Sequence, residues 1–468
     1  MTENKNNNNT KKRTNMQLTK EEQLLATGHI GYLFRKFAIP GIIGLLFIGL
    51  QPLVDGAILG NYVGAEALAG VNLFMPVYTF LSASAVIVGI GCQTIVSLSL
   101  GSRSYQEAQN ALRTAFVFML LYSLLMAGLC YLGAEPLSRL LGANERLMAY
   151  TAPYIRNFAP FFPFLTLIFI GDYLLKATGR PYYALTILGL ILLINVGLDL
   201  LFIGVFGWGV RGAALATGIA LGTSFLAMLP SLVRRHSLVN LRQGRFSFRL
   251  LGQMLYNGSS EGLSELSAGI TVFLFNWAMM NTWGENGVAA FTAVNYLLYL
   301  GVQLFVGLSD GIIPVFSYNY GAGNLERMRR ALFLGYRTNA LIGLSFFALI
   351  FFGGSSLIPL FFDGSQEEQL STILSIAGIG ASCTAFAFFL NGANILSSSF
   401  FTSMGDARTS VVISLLRGLV LIATGIFVYP LLLGEHGIWL VIPAAEAITF
   451  LYCCFLLKNK VSWVLPKR

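Results

Sequence analysis

Residues 61–71 read NYVGAEALAGV, and residues 281–291, 220 positions further on, read NTWGENGVAAF. Asn61, Gly64, Ala69 and Val71 are answered by Asn281, Gly284, Ala289 and Phe291. The echo continues downstream, where Gly91, Gly101, Ala111 and Leu112 are answered by Gly311, Gly321, Ala331 and Leu332. The last three of each set lie in SLGSRSYQEAQNAL (99–112) and NYGAGNLERMRRAL (319–332). A repeat with a period near half the chain, inside long apolar segments, is the pattern of two membrane bundles with a site between them.

The composition around the repeat agrees. The chain has 468 residues, is 55% hydrophobic and only 11% charged, and has a mean hydropathy of +0.69. Soluble domains carry about 25% charged residues, so a chain this long and this apolar is not a water-soluble globule. Twelve apolar stretches are long enough to cross a hydrocarbon core of roughly 30 Å: 37–59, 67–99, 114–133, 153–175, 182–203, 211–232, 253–280, 288–317, 332–353, 372–397, 410–431 and 438–458. The alternation of an outer-membrane barrel is absent. The fold class expected is an all-α integral membrane protein, with twelve transmembrane helices in two six-helix lobes. Each lobe has an even number of spans, so the lobes insert the same way round and relate by a pseudo-twofold axis along the membrane normal.

The net charge of +9 invites a nucleic-acid reading, but the placement of the charges opposes it. With both termini on the cytoplasmic side, all but five of the 30 Lys and Arg fall on that side. Four lie outside (Arg139, Arg146, Arg156, Arg211), and Arg417 sits within a span. This is the positive-inside bias; it makes the basic excess a topology signal, with membrane lipids rather than nucleic acid as the surroundings. The expected organisation is a disordered cytoplasmic tail over 1–30, an N-lobe over 31–232, a basic cytoplasmic linker over 233–250, and a C-lobe with a short tail over 251–468. The polar, Asn-rich N-terminus does not read as a cleavable signal peptide. The localisation expected is a membrane crossed many times, with both termini on the cytoplasmic side.

The five cysteines lie in apolar stretches without metal-ligand spacing and read as packing residues. His29, His236 and His436 are scattered and form no metal cluster. No G-x-x-x-x-G-K-[ST] motif is present, so no P-loop hydrolyses a nucleotide here, and no cofactor is implied.

Carboxylates inside the spans are the sharpest features. A charge at mid-bilayer costs at least ~2.5–3.5 kcal/mol, so such residues usually face a cavity and serve a function. Asp55 lies in the second half of span 1, in LQPLVDGAILG. Asp199 lies near the end of span 5, four residues after Asn195, so the two project from one helical face. Glu261 and Glu265 share a face of span 7; they either resist being ionised together in a dry setting or are solvated near its start. Asp310 precedes Gly311 and Pro314. Asp172 stands one turn from Lys176, which fits a boundary salt bridge as well as a pathway role, and Glu446 fits a structural partner for Arg417. Pro40 near the start of span 1 is either a bend or a harmless first-turn proline. Pro160 and Pro163 read as a kink in span 4. Of Tyr78, Phe158, Phe161, Phe162, Trp277, Tyr296, Tyr299 and Phe305, most serve lipid contact; a minority lining a cavity would suit planar cations.

Four stretches together resemble the multidrug and toxic compound extrusion (MATE) family, over about residues 30–458. LVDGAILGNYVGAEALAGV (53–71) is similar to its first-span signature, and NVGLDLLFIGVFGWGVRGAALAT (195–217) to its signature across spans 5 and 6. ATGRPYYAL (177–185) and TSMGDARTS (402–410) resemble its paired inner loops. The resemblance is strongest to bacterial branches of DNA-damage-inducible and staphylococcal-type multidrug exporters, which implies a bacterial cytoplasmic (inner) membrane as the localisation. It implies a V-shaped cavity between the lobes and cation-coupled export of lipophilic, mostly cationic small molecules. It also implies an N-lobe ion site for H⁺ or Na⁺ at Asp55, Asn195, Asp199 and Thr217, with Pro40 as the bending proline. Another branch uses carboxylates deep in spans 7 and 10. Here Glu261 and Glu265 come earlier, and span 10 offers Asn391 and Asn394 but no acid, which favours the N-lobe.

The function expected is a monomeric cation/drug antiporter with alternating access, not an enzyme, with Glu261, Glu265 and Asp310 as a further substrate or proton site. The alternative is a flippase for a lipid-linked or other amphipathic metabolite, which needs cationic residues lining the cavity. A passive channel explains the paired lobes and acids less well.

Overall fold

The computed structural model describes residues 20–233, 239–362 and 367–461, and among them there is no strand. Lipid offers no partner to backbone N–H and C=O groups, so each crossing satisfies its own within a helix. The first lobe contains α1 (Lys20–Thr27), α2 (Ile30–Tyr62), α3 (Ala65–Asn72), α4 (Met75–Gly101), α5 (Tyr105–Leu132), α6 (Ala134–Leu140), α7 (Glu145–Phe158), α8 (Phe162–Ala177), α9 (Pro181–Asp199) and α10 (Gly209–Val233). A 3-10 turn, Ala159–Phe161, joins α7 to α8 in one crossing, and α9 runs on as a π-helical segment, Leu200–Val205. The second lobe contains α11 (Phe248–Gly321), α12 (Leu325–Leu357), α13 (Glu367–Ala385), α14 (Phe388–Ser403), α15 (Ala407–Leu415), α16 (Leu421–Leu433) and α17 (Val441–Lys460). A π-helical segment, Leu416–Val420, links α15 to α16.

Twelve crossings result. Ten helical stretches are long and apolar enough to span a membrane, and α13 with α14, bent by 52°, makes another. The twelfth comes from α11. A straight helix of 74 residues would run about 110 Å at 1.5 Å per residue. Instead it folds back at Gly284, so that Phe275 and Phe291, on either side, stack with ring centroids 4.8 Å apart. Gly284 has φ 62°, and its counterpart in the repeat, Gly64, has φ 114°. Both lie where a side chain would be strained, which explains why the repeat carries glycine at this distal turn.

Several sequence expectations need correction. The tail expected to be disordered over 1–30 already contains α1, and Leu25 is fully buried. Arg327 fixes this segment by donating to the carbonyls of Leu25 (3.3 Å) and Gly28 (2.8 Å); residues 1–19 lie outside the described residues. Span 2 begins at Met75 rather than residue 67, because α3 is a separate short helix and Pro76 occupies the first turn of α4. Span 10 is broken at Phe386–Ala387. There the Thr384 hydroxyl donates to the Gly380 carbonyl at 2.7 Å, a side-chain bond that competes with the helical ladder. The linker expected over 233–250 straps back onto α5. Arg113 Nη1 donates to the Leu241 carbonyl at 2.7 Å, and Gln109 pairs with Gln243 at 3.0 Å. Arg234, Arg235 and His236 lie outside the described residues.

The lobes meet on the face that carries both chain ends. One hydrophobic core runs through the first lobe into Met254, Ile312, Phe316, Leu332, Phe400 and Ile413 of the second, all in the halves of their helices nearest that face. The distal halves of the second lobe pack into a separate core around Phe275, Phe291, Phe305 and Trp439. Small residues let the helices approach closely without a bulky side chain between them. A Cβ on Gly307 of α11 would stand 2.8 Å from the carbonyl oxygen of Gly41 in α2. Its pseudo-symmetric match is the approach of Gly258 and Gly91, in α11 and α4, to the backbones of Ile87 and Met254. The lobes are thus locked at the chain-end face, while their distal halves have separate cores.

Candidate functional site

Two polar clusters interrupt the apolar spans. The first lies within the N-lobe. Asn195 and Asp199 share a face of α9, and both are fully buried. Asn195 Nδ2 donates to Asp199 Oδ2 at 3.1 Å and to Thr217 Oγ1, on α10, at 3.3 Å. Asp55 projects from α2 beside Asp199 and beside Gln51 of its own helix. The four residues named from the sequence therefore converge. Asp55 Oδ1, Asn195 Oδ1 and Asp199 Oδ1 are buried without a hydrogen-bond partner. Buried polar atoms are nearly always paired, so three orphans in one cluster demand an explanation. Carboxylate, amide and hydroxyl oxygens are the donor set of a hard monovalent cation or of a proton. The residues present thus fit H⁺ or Na⁺.

Of the wall of this site, Tyr78, Phe158 and Phe162 were singled out from the sequence, but Tyr154, Phe74 and Gln51 were missed. Tyr78 and Tyr154 stand near Asp55. Tyr154 packs edge-on to Phe74 (5.6 Å between centroids), which in turn packs against Phe158 and Phe162. Gln51 and Tyr78 also line a small cavity with Phe47, Asp172 and Leu221. Of the aromatics singled out from the sequence, Phe158, Phe162 and Phe305 are buried core, whereas Trp277, Tyr296 and Tyr299 are half exposed. Tyr299 reaches across to Gly49 of α2, where a Cβ would lie 3.9 Å from its ring.

Pro40 lies ten residues inside α2, not in its first turn. The harmless reading is thereby removed, because an interior proline deletes an i→i−4 bond and clashes with the preceding turn. It is buried and adjoins Gly41 at the lobe interface.

The second cluster bridges the lobes. Asp172 and Lys176 on α8 form an ion pair of 2.6 Å. Both are over 90% buried, so this is not a solvated boundary bridge. Asp310 on α11 lies near Glu261, Glu265, Lys176 and Asp172. Asp310 Oδ1, Glu261 Oε1 and Asp172 Oδ1 are buried and unpaired. The three acids named from the sequence in spans 7 and 8 thus gather against an N-lobe pair that the sequence had left separate.

A third set is structural in form. Arg417 and Glu446 pair at 3.0 Å, joined by Asn391 and Asn394. Among the described residues, no group of three or more His, Cys, Asp and Glu has metal-binding geometry, and the five cysteines are free. His29 caps α2 by accepting from Gly31 N at 3.2 Å, and His436 packs on Trp283.

Twelve spans in two pseudo-symmetric lobes, with buried acids where the lobes meet, define a multi-pass membrane transporter and not an enzyme. The chain belongs to the MatE family, whose model matches it twice, over residues 40–201 and 267–427. It is 22% identical over 431 residues to the multidrug export protein MepA of Staphylococcus saprophyticus subsp. saprophyticus, covering 91% of this chain and 94% of that one. Two solved structures superpose with a TM-score of 0.87 at 25% identity, each covering 96% of this chain and 99% of the other. They are a crystal structure of MATE in complex with MaD3S and an outward-facing conformation of a multidrug resistance MATE family transporter of the MOP superfamily.

Proposed function

We propose that this protein is a multidrug exporter that exchanges lipophilic, mostly cationic small molecules for inward-moving H⁺ or Na⁺. The observation that carries the reading is the cluster of orphaned buried oxygens on Asp55, Asn195 and Asp199. The likeness to MepA, a multidrug export protein, supports drugs as the cargo.

The positive-inside bias puts the chain-end face in the cytoplasm. The conformation described, locked on that face by Gly41, Gly258 and Gly307, is then the one that opens outward. Asp55 and Asp199 receive the cation from outside. A cation drives the change only through different affinity for the two states. Here Asp55 sits on the helix that also carries Pro40 and Gly41, so neutralising its charge relaxes the electrostatic demand on α2 and lets it bend at Pro40. That bend changes the wall of the inter-lobe cavity, where Tyr78 and Tyr299 stand, and releases the drug outward. Glu261, Glu265 and Asp310 offer a second negative site that attracts the cationic drug or a proton.

The flippase reading is not favoured, because Lys176 and Arg417, cations within the spans, are both committed to carboxylates. The test is flux of a fluorescent lipophilic cation in proteoliposomes under separately imposed H⁺ and Na⁺ gradients. Uphill flux driven by either gradient is expected. Flux indifferent to both would refute antiport.

A further inference from the structure

The Asp55–Asp199 cluster of the N-lobe and the Glu446 cluster of the C-lobe hold their buried carboxylates differently. In the N-lobe, Asp55 and Asp199 have no basic side chain paired with them among the described residues. In the C-lobe, Glu446 is held by a guanidinium. Arg417 Nε and Nη2 donate to Glu446 Oε1 at 3.2 and 3.0 Å, and Nη2 also donates to Asn391 Oδ1 at 3.1 Å. Asn391 Nδ2 donates to Glu446 Oε1 at 3.1 Å, and Asn394 Nδ2 to Oε2 at 2.6 Å. Glu446 is 3% exposed, Asn391 6% and Asn394 0%.

The two sets occupy related places in the folds. Gly179 (φ 86°) and Gly405 (φ 80°) close equivalent turns before spans 5 and 11. Counted from them, Arg417 falls at the register of Ile191, one turn before Asn195. Gly207 (φ 66°) and Gly434 (φ 74°) open spans 6 and 12. Counted from the second glycine of the first turn, Gly209 (φ 56°), at which α10 begins, and from Gly434, Glu446 falls at the register of Leu221, one turn past Thr217. Both lobes also carry a π-helical segment in the same span, at Leu200–Val205 and Leu416–Val420, and Arg417 lies within the second. Such insertions are frequent at functional sites.

We infer that the Glu446–Asn391–Asn394 cluster is a monovalent-cation site whose cation is supplied permanently by Arg417, so that this cluster is closed to mobile ions. This rests on the reading of the N-lobe cluster as the coupling site. The ligand chemistry is again a carboxylate with amide oxygens. Asn394 Oδ1, fully buried, has no hydrogen-bond partner, which leaves an oxygen beyond what the guanidinium uses. A small cation in place of the guanidinium would find Glu446, Asn391 Oδ1 and Asn394 Oδ1 about it. The consequence for transport is that the Glu446 cluster takes up no mobile ion during the cycle.

The experiment uses the full chain in detergent on an Asp55→Asn/Asp199→Asn background, reading the thermal unfolding midpoint against Na⁺ or methylguanidinium, with choline as the ionic-strength control. With Arg417 intact, no specific cation effect is expected. Arg417→Ala on that background should acquire a saturable rise of about 1–3 °C, abolished by Glu446→Gln and unaffected by Glu261→Gln, a control because Glu261 also lies near Arg417. Three results would overturn the inference: no cation effect in a folded Arg417→Ala variant, an effect that survives Glu446→Gln, or an effect with Arg417 intact that Glu446→Gln removes. The last arm does not depend on Arg417→Ala folding. Failure of the N-lobe reading would show separately, as a cation response of the otherwise unaltered protein that Asp55→Asn/Asp199→Asn leaves untouched.

Discussion

Gly41 and Gly307 touch backbone to backbone across the boundary between the lobes: a Cβ on Gly307 would stand 2.8 Å from the Gly41 carbonyl oxygen, and one on Gly41 would strike the Gly307 carbonyl. The contact fixes the distance between α2 and α11 on the chain-end face, and neither side is a flexible side chain that can yield. Gly41→Ala is expected to disfavour this closed contact and to populate conformations in which that face is parted. Spin labels at the exposed positions Arg103 and Asn324 report the change as a longer distance distribution. Gly128→Ala, whose Cβ meets nothing within 4 Å, should leave it unchanged. An unaltered distribution in a folded Gly41→Ala protein would mean the face is held by other contacts.

Pro40 precedes that contact. Pro40→Ala restores the missing backbone donor and stiffens α2, so it is expected to leave folding intact while lowering drug flux severalfold. Equal flux in the two proteins, at matched reconstitution levels, would remove Pro40 from the mechanism.

The Asp172–Lys176 pair is a separate stability element. Lys176→Met leaves a buried carboxylate without its partner, a change that typically costs about 3–5 kcal/mol. Asp172→Leu/Lys176→Met removes both charges and should recover most of the loss. Thermal unfolding of the two variants decides it; equal destabilisation would show that the pair does not act as a unit.

Asp406 caps α15, accepting from Thr409 N at 3.2 Å and Thr409 Oγ1 at 2.6 Å, and pairs with Lys460 at 3.1 Å. Burial works to raise its pKa, but the Thr409 and Lys460 bonds outweigh burial and hold the carboxyl below its usual range. Asp406→Ala should cost about 1 kcal/mol through loss of the cap. A depressed folded-state value stabilises above the unfolded value and is lost as the pH falls through it. The gap between the unaltered protein and the variant is therefore expected to be full above about pH 4 and to narrow below it. A gap that does not change with pH would contradict the cap.

The span count and the repeat were legible because a 220-residue period and an apolar run need no tertiary information. Asp55, Asn195 and Asp199 were legible as rare polar residues in lipid-length segments, whereas Thr217 was named through the family resemblance alone. Their common location was implied by the family resemblance, since the spacing alone joins only Asn195 to Asp199. What the sequence hid depends on contacts between distant segments. Glu446 was legible as a partner for Arg417, but not that Asn391 and Asn394 join them: the four come from three spans, and the acid that span 10 lacks arrives from span 12. Tyr154 and Gln51 resemble any other aromatic or amide until α7 and α2 are packed. The break at Phe386–Ala387 has neither proline nor glycine at its bend, so no residue type in the sequence marks it. Lys20–Thr27 looked disordered because its anchor, Arg327, lies some 300 residues away.

The central claim is that Asp55 and Asp199 couple the cation gradient to drug movement. The measurement is gradient-driven flux of a fluorescent lipophilic cation in proteoliposomes containing the unaltered protein, Asp55→Asn or Asp199→Asn. Each neutral variant is expected to lose at least about tenfold of the flux, equivalent to ~1.4 kcal/mol, and to lose its dependence on the imposed gradient. Full flux with an unchanged gradient dependence in both variants would contradict the claim.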